Sequence, residues 1–170
     1  MELSMHDLGT AERGDAVALL AVEDEDVANQ SPARLLITAP TQQGVENLAR
    51  RIHGAGRRAR FPFVQTSAVE LPVGPERLKE YCARLLDSAA GGSLLVSAVE
   101  EMPATVQDAM IDLLGGLESA RVPSAMARPI SGTTVSLPKR VAAGTFSERL
   151  FYRLNINHLR VGDGSEAVLV

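Results

Sequence analysis

LLITAPTQQGVE, residues Leu35 to Glu46, decides how this chain is read. The run Leu35, Leu36, Ile37, Thr38 is apolar or β-branched without alternation, the pattern of a strand buried on both faces. Val45, Leu48, Ala49 and Ile52 then give VENLARRIH one apolar helical face. A turn from strand to helix is where α/β proteins hold phosphate groups, because glycines let backbone N–H groups close around the anion and the helix N-terminus is positive. This turn has a single glycine, Gly44, and no lysine. The unit has the outline of a phosphate site without its chemistry.

Downstream, the same alternation repeats. FPFVQT reads as a strand, and PERLKEYCARLLDSA as a helix aligning Leu78, Cys82, Leu85 and Leu86. GSLLVSAV is another buried-type strand. PATVQDAMIDLLGGLE is an amphipathic helix with Pro103 in its first turn and Val106, Met110, Leu113, Leu114 and Leu117 on one side. A strand over Arg128 to Thr134, a helix near TFSERLFYRL and strand-like NINHLRV and EAVLV complete the series. Strands separated by helices imply a parallel sheet covered on both faces, so the fold class is α/β. Upstream, Met1 to Gly14 reads as loose, Asp15 to Leu20 as a short helix, and EDED, Glu23 to Asp26, as a solvated turn or helix end.

Bulk properties narrow the function classes. With 170 residues and 45% hydrophobic content, one core is expected. A net charge of -4 argues against a general nucleic-acid binder. Cys82 is the only cysteine, which excludes an intrachain disulfide or a cysteine-based zinc site and suits a reducing cytoplasm. No leader-like start or membrane-length apolar run is present, so a cytoplasmic location is expected.

Four blocks then fall in a familiar order. GTFSERLFYRLNI, Gly144 to Ile156, is similar to the signature G-x-F-R-x-D-L-Y-Y-R-L-N-V. ARRIHGAGRRARFPFV resembles the helix and strand that follow the phosphate loop in the same family. AAGGSLLVSAVEEMPATVQDAMIDLL resembles the block A-D-G-G-T-L-F-L-D-E-I-x-x-L-P-x-x-Q-x-K-L-L, and RPISGTT its sensor strand. From about Ser31 to Val161 the chain resembles the AAA+ central domain of bacterial sigma-54-dependent transcription activators. The resemblance implies a P-loop-type α/β core with a parallel sheet between helices. It divides the chain into a partly flexible segment 1–30, a core 31–161 and a C-terminal strand or tail 162–170. The helical lid subdomain and the sigma-contacting GAFTGA loop of that family have no counterpart in the sequence.

Residue by residue, the matched nucleotide site is degenerate. The family loop G-E-S-G-T-G-K-E is matched by Ala39 to Glu46. Ala39 and Gln42 stand for glycines, Gln43 fills the next place, Gly44 is kept, and Val45 replaces the lysine ahead of Glu46. Lysine is the strongest single attraction to the phosphates, and valine offers nothing in return. The acidic pair that organises magnesium and the attacking water is matched by Ser97 and Ala98. Glu100 and Glu101 lie just beyond and read as a solvated turn. The sensor asparagine is matched by Thr134. Of two finger arginines the first is matched by Ser147 and only Arg153 is kept.

The expectation is a pseudo-ATPase with no catalytic residue, cofactor or metal, acting as a protein-interaction module. The implied partner is a sigma-54 activator, another AAA+ subunit or a two-component protein, with self-association as a side expectation and no membrane contact. A nucleotide-binding switch or weak ATPase is one alternative. The other is a nucleic-acid or phosphoprotein binder using Arg50, Arg51, Arg57, Arg58 and Arg60, for which a solvated helix end is the plainer reading. His53 reads as a packed helix-end residue, Cys82 as core, and Met102, Met110 and Met126 as packing; His6 and His158 have no sequence-near partner.

Overall fold

Leu35–Thr38 forms β1, and its neighbours come from far along the chain. The computed structural model describes residues 26–118, 126–162 and 167–170. The other strands are β2 (Phe63–Ser67), β3 (Ser93–Ser97), β4 (Arg128–Thr133), β5 (Asn157–Val161) and β6 (Ala167–Leu169). Their order in the sheet is β2-β3-β4-β1-β5-β6. β1 to β5 run parallel, and β6 pairs antiparallel with β5 at the edge. The helices are α1 (Gln42–Ala55), α2 (Pro75–Ser88), α3 (Ala104–Glu118), α4 (Leu137–Ala142) and α5 (Glu148–Leu154). The expected α/β core with a parallel sheet between helices is therefore present.

Alternation along β1 shows how the two faces are filled. Leu36 joins one apolar cluster with Leu78, Val106, Leu114 and Leu150, under α2, α3 and α5. Leu35 and Ile37 point the other way and join Val45, Leu48, Ala49 and Ile52 of α1. Each such buried leucine or isoleucine contributes roughly 1.5–3 kcal/mol relative to exposure, so β1 is held from both sides. Ala28, within a helical segment over residues 26–30, is also buried in the α1 cluster. The packed core thus begins before residue 31, the boundary expected from the sequence. Residues 1–25, with the expected Asp15–Leu20 helix, His6 and most of EDED, lie outside the described residues. No described helix is long and apolar enough to cross a membrane.

The arginine run does not form one exposed cationic turn. Arg58 is half-buried, and its Nη1 donates to the carbonyls of Gly91 at 2.7 Å and Met126 at 2.8 Å, pinning the approaches to β3 and β4. Arg50 donates to Gln65 Oε1 at 2.6 Å and lies over the Phe63 ring. Arg57 Nε donates to Gln30, and Arg60 stacks on Phe61. Arg51 is exposed on α1. The run is split because α1 ends at Ala55 and the following turn sends Arg58 inward.

Both described histidines are structural. His53 Nε2 lies 3.1 Å from the Phe61 carbonyl and Nδ1 3.0 Å from Ser93 Oγ, which fits a neutral ring that donates at Nε2 and accepts at Nδ1. His158 is buried on β5 with Nε2 2.8 Å from Thr38 Oγ1. Burial lowers the pKa of each below 6.5; at His53 the hydrogen bond to the Phe61 carbonyl opposes it in part and the charge of Arg58 adds to it, and at His158 the charge of Arg160 adds to it. The unfolded chain therefore takes up protons at a higher pH than the folded one. Stability contributed by the neutral rings is complete above pH 6.5 and is lost as the pH falls through and below that value. The urea midpoint is expected to drop between about pH 7.5 and about pH 5, and to drop less in His158→Asn. An unchanged midpoint over that range would contradict the assignment.

Candidate functional site

At the carboxyl ends of β1, β3 and β4 the sheet brings together the segments that the sequence singles out, the place where open α/β sheets bind ligands. Ala39 is buried, and its N–H donates to the Thr133 carbonyl at 3.1 Å, extending the β1–β4 pairing past the strand end. Helix α1 starts at Gln42, immediately after Thr41. Thr41 is the N-cap: its Oγ1 accepts from Gly44 N–H at 3.1 Å, and its carbonyl accepts from Val45 N–H. Two of the N–H groups that a phosphate loop would offer to an anion are thus taken by Thr41 itself. Gln42 and Glu46 are half-buried, and Gln43 turns outward to bond Asn47 at 2.9 Å.

Val45 is fully buried. Its Cγ1 occupies the space where any Cβ at Gly132 of β4 would sit, so the side chain is wedged between α1 and the sheet. A lysine reaching for phosphate would have to leave from this point. The position has become core.

Ser97 is buried at the end of β3, and its hydroxyl donates to the Thr66 carbonyl on β2 at 3.3 Å. Ala98 follows with φ of 53°, the left-handed region that non-glycine residues rarely adopt. That bend turns the chain into a short 3-10 segment, Val99–Glu101, and redirects Glu100. Glu100 is half-buried, not solvated as the sequence suggested, and its Oε1 accepts from Thr134 N–H at 2.9 Å and Thr134 Oγ1 at 2.8 Å. The sensor-strand threonine and a carboxylate are thereby joined. The signal was hidden because a glutamate three residues past a strand end looks solvated unless the left-handed turn at Ala98 is known.

Ser147, at the first finger position, caps α5 by accepting from Leu150 N–H, and its own N–H donates to Gln107 at 2.7 Å. Arg153 lies on α5 with its guanidinium beside Gly115 of α3, against its own chain. The thiol of Cys82 is pushed up to about 11 by burial, which keeps it protonated and unreactive. Among the described residues no group of three His, Cys, Asp or Glu side chains comes together as a metal site.

A sigma-54 interaction domain model matches residues 15–163 of the chain. The chain belongs to the sigma-54 interaction domain family. The nitrogen assimilation regulatory protein NtrX of Azorhizobium caulinodans is 33% identical over 156 residues, covering 80% of this chain and 33% of NtrX. The regulatory protein AtoC of Escherichia coli is 32% identical over 150 residues, covering 76% of this chain and 32% of AtoC. The chain therefore spans about a third of the length of these relatives. NtrX from Brucella abortus, solved in complex with ADP, superposes with a TM-score of 0.65 at 29% identity over 94% of this chain and 37% of that one. The P-loop NTPase domain of an Escherichia coli sigma-54 activator, at 21% identity and a TM-score of 0.55, shares the fold. Within this sigma-54 interaction domain, the loop over Ala39 to Glu46, the strand end at Ser97 and Ala98, and Thr134 converge at the carboxyl ends of β1, β3 and β4.

Proposed function

We propose that this sigma-54 interaction domain is a pseudo-ATPase that works through protein contacts in transcriptional regulation in the bacterial cytoplasm. The observation that carries the reading is Val45: the phosphate-loop lysine position is filled by a fully buried apolar side chain wedged against Gly132. Thr41 capping the loop's own N–H groups and Ser97 bonded to Thr66 support it from two further sides. These residues do not fit magnesium-ATP. The free end of α1 would be worth about 1 kcal/mol toward an anion, too little to hold a nucleotide. The partner is an AAA+ subunit of a sigma-54 activator, met through the side-by-side surface that such domains share.

Titrating the protein with ATP and with ADP, each with magnesium, is expected to give no heat at concentrations up to about 1 mM. Mixed with the AAA+ region of a sigma-54 activator, the protein is expected to co-sediment and to change the activator's rate of ATP hydrolysis. Micromolar nucleotide binding would replace this reading with a nucleotide switch. Separate sedimentation from a panel of such activators would remove the partner.

A further inference from the structure

At the other end of the sheet from Thr41 and Ser97 lies a cavity of about 350 Å³, between the end of α1, residues 26–30 and the starts of β3 and β4. Its wall carries Arg57, Arg58, Arg60, Arg128 and His53, and no Asp or Glu among the described residues. We propose that this cavity binds a small phosphate-bearing molecule through Arg57, Arg58 and Arg60, with the buried charge of Arg128 in support.

Arg128 is the decisive residue. It is 4% exposed, its Nε donates to the Ala33 carbonyl at 2.7 Å, and among the described residues its buried Nη2 has no hydrogen-bond partner. A buried guanidinium normally faces a carboxylate, because an unpaired interior charge is expensive. Here burial first and the like charge of Arg58 second lower the Arg128 pKa to about 10, which leaves it protonated at neutral pH. Buried like charges beside an unsatisfied donor are stabilised by a bound anion.

The donors available suit phosphate. Arg58 spends Nη1 on main-chain carbonyls, Arg57 spends Nε on Gln30, and Arg60 stacks on Phe61. Remaining guanidinium N–H groups form the planar forks that match phosphate oxygens. One feature opposes an anion: α1 ends here, with about half a negative charge at its C-terminus. Four full positive charges outweigh it. The volume lies in the small-molecule range, which favours a phosphorylated metabolite over a macromolecular surface.

The test is a calorimetric titration of the whole chain with inorganic pyrophosphate at low salt. One site with a Kd on the order of 10 μM is expected. The double variant Arg57→Gln, Arg60→Gln removes two exposed side chains and is expected to weaken binding by about tenfold or more while leaving the fold intact. Arg149→Gln, exposed on α5, is expected to leave it unchanged. In nitrogen NMR spectra the Nε–H signals of Arg58 and Arg128 should move on titration, which a purely structural role would not produce. No heat up to about 1 mM pyrophosphate overturns the proposal. So does binding that survives the double variant, which would place the anion elsewhere, including the Thr41 loop, or succinate binding as tightly through the same arginines.

Discussion

Val45→Lys, which places a lysine at the position matched to the family's phosphate-loop lysine, is expected to lower stability by about 4–5 kcal/mol and to give no ATP binding. The side chain at 45 is fully enclosed against Gly132 and the α1 cluster. To stay there a lysine must be neutral, and discharging it at pH 7 from an ordinary value near 10.4 takes about 3 pKa units, or about 4–5 kcal/mol. To escape, it must unwind the first turn of α1, losing the Thr41 cap as well. Either course consumes a large part of the roughly 5–15 kcal/mol that holds a small domain together. Glu46→Lys, one residue on and half-buried, is the control and is expected to shift the urea midpoint little. A Val45→Lys protein as stable as the parent and giving ATP heat would mean that the loop is only latent, and the pseudo-ATPase proposal would fall with it.

Gly92→Ala is expected to have an effect of similar size for a different reason. At the start of β3, a Cβ on Gly92 would run into the carbonyl of Pro62. That carbonyl accepts from Ser93 N–H at 3.0 Å, and Gly92 O accepts from Arg128 N–H at 2.8 Å. The obstacle is backbone inside the β2–β3–β4 pairing, so it cannot rotate away as a side chain could. Separating these strand starts costs about 3 kcal/mol or more, and the variant is expected to unfold at markedly lower urea or to be recovered insoluble. Gly116→Ala on α3 gives the opposite sign: nothing lies within 4 Å of the new Cβ, and helix propensity adds about 0.5–1 kcal/mol. A Gly92→Ala protein with a parent-like midpoint would refute the packing described for this corner.

Most of the fold was legible because periodicity and burial agree in it. Leu35 to Thr38, the α1 face at Val45, Leu48 and Ile52, and the α3 pattern all lie where the apolar spacing places them. α4 was not anticipated: its six residues are too few for a helical stripe. For the candidate site, the residue types at Ala39, Val45, Ser97 and Ala98 were readable against the family pattern. What each replacement does was not. That Val45 becomes core depends on Gly132, far along the chain, and that Glu100 reaches Thr134 depends on the backbone bend at Ala98. Arg128 read as an ordinary strand residue, since nothing local reveals that it is buried with no carboxylate beside it among the described residues.

The strand order carries a consequence for how the molecule is made. β1 is the first described strand to be synthesised, yet Leu35 pairs with Ile130 on one side and Asn157 on the other. During translation this apolar strand must wait for β4 before one edge is satisfied and for β5 before the other is. Long-range parallel pairing of this kind is slow and leaves sticky edges open meanwhile. On the ribosome, α1 folding back over Leu35 and Ile37 is the available cover. Thr41 caps the start of that helix from within its own first turn, so this cover needs no later part of the chain, whereas Val45 finds its place against Gly132 only once β4 has been made.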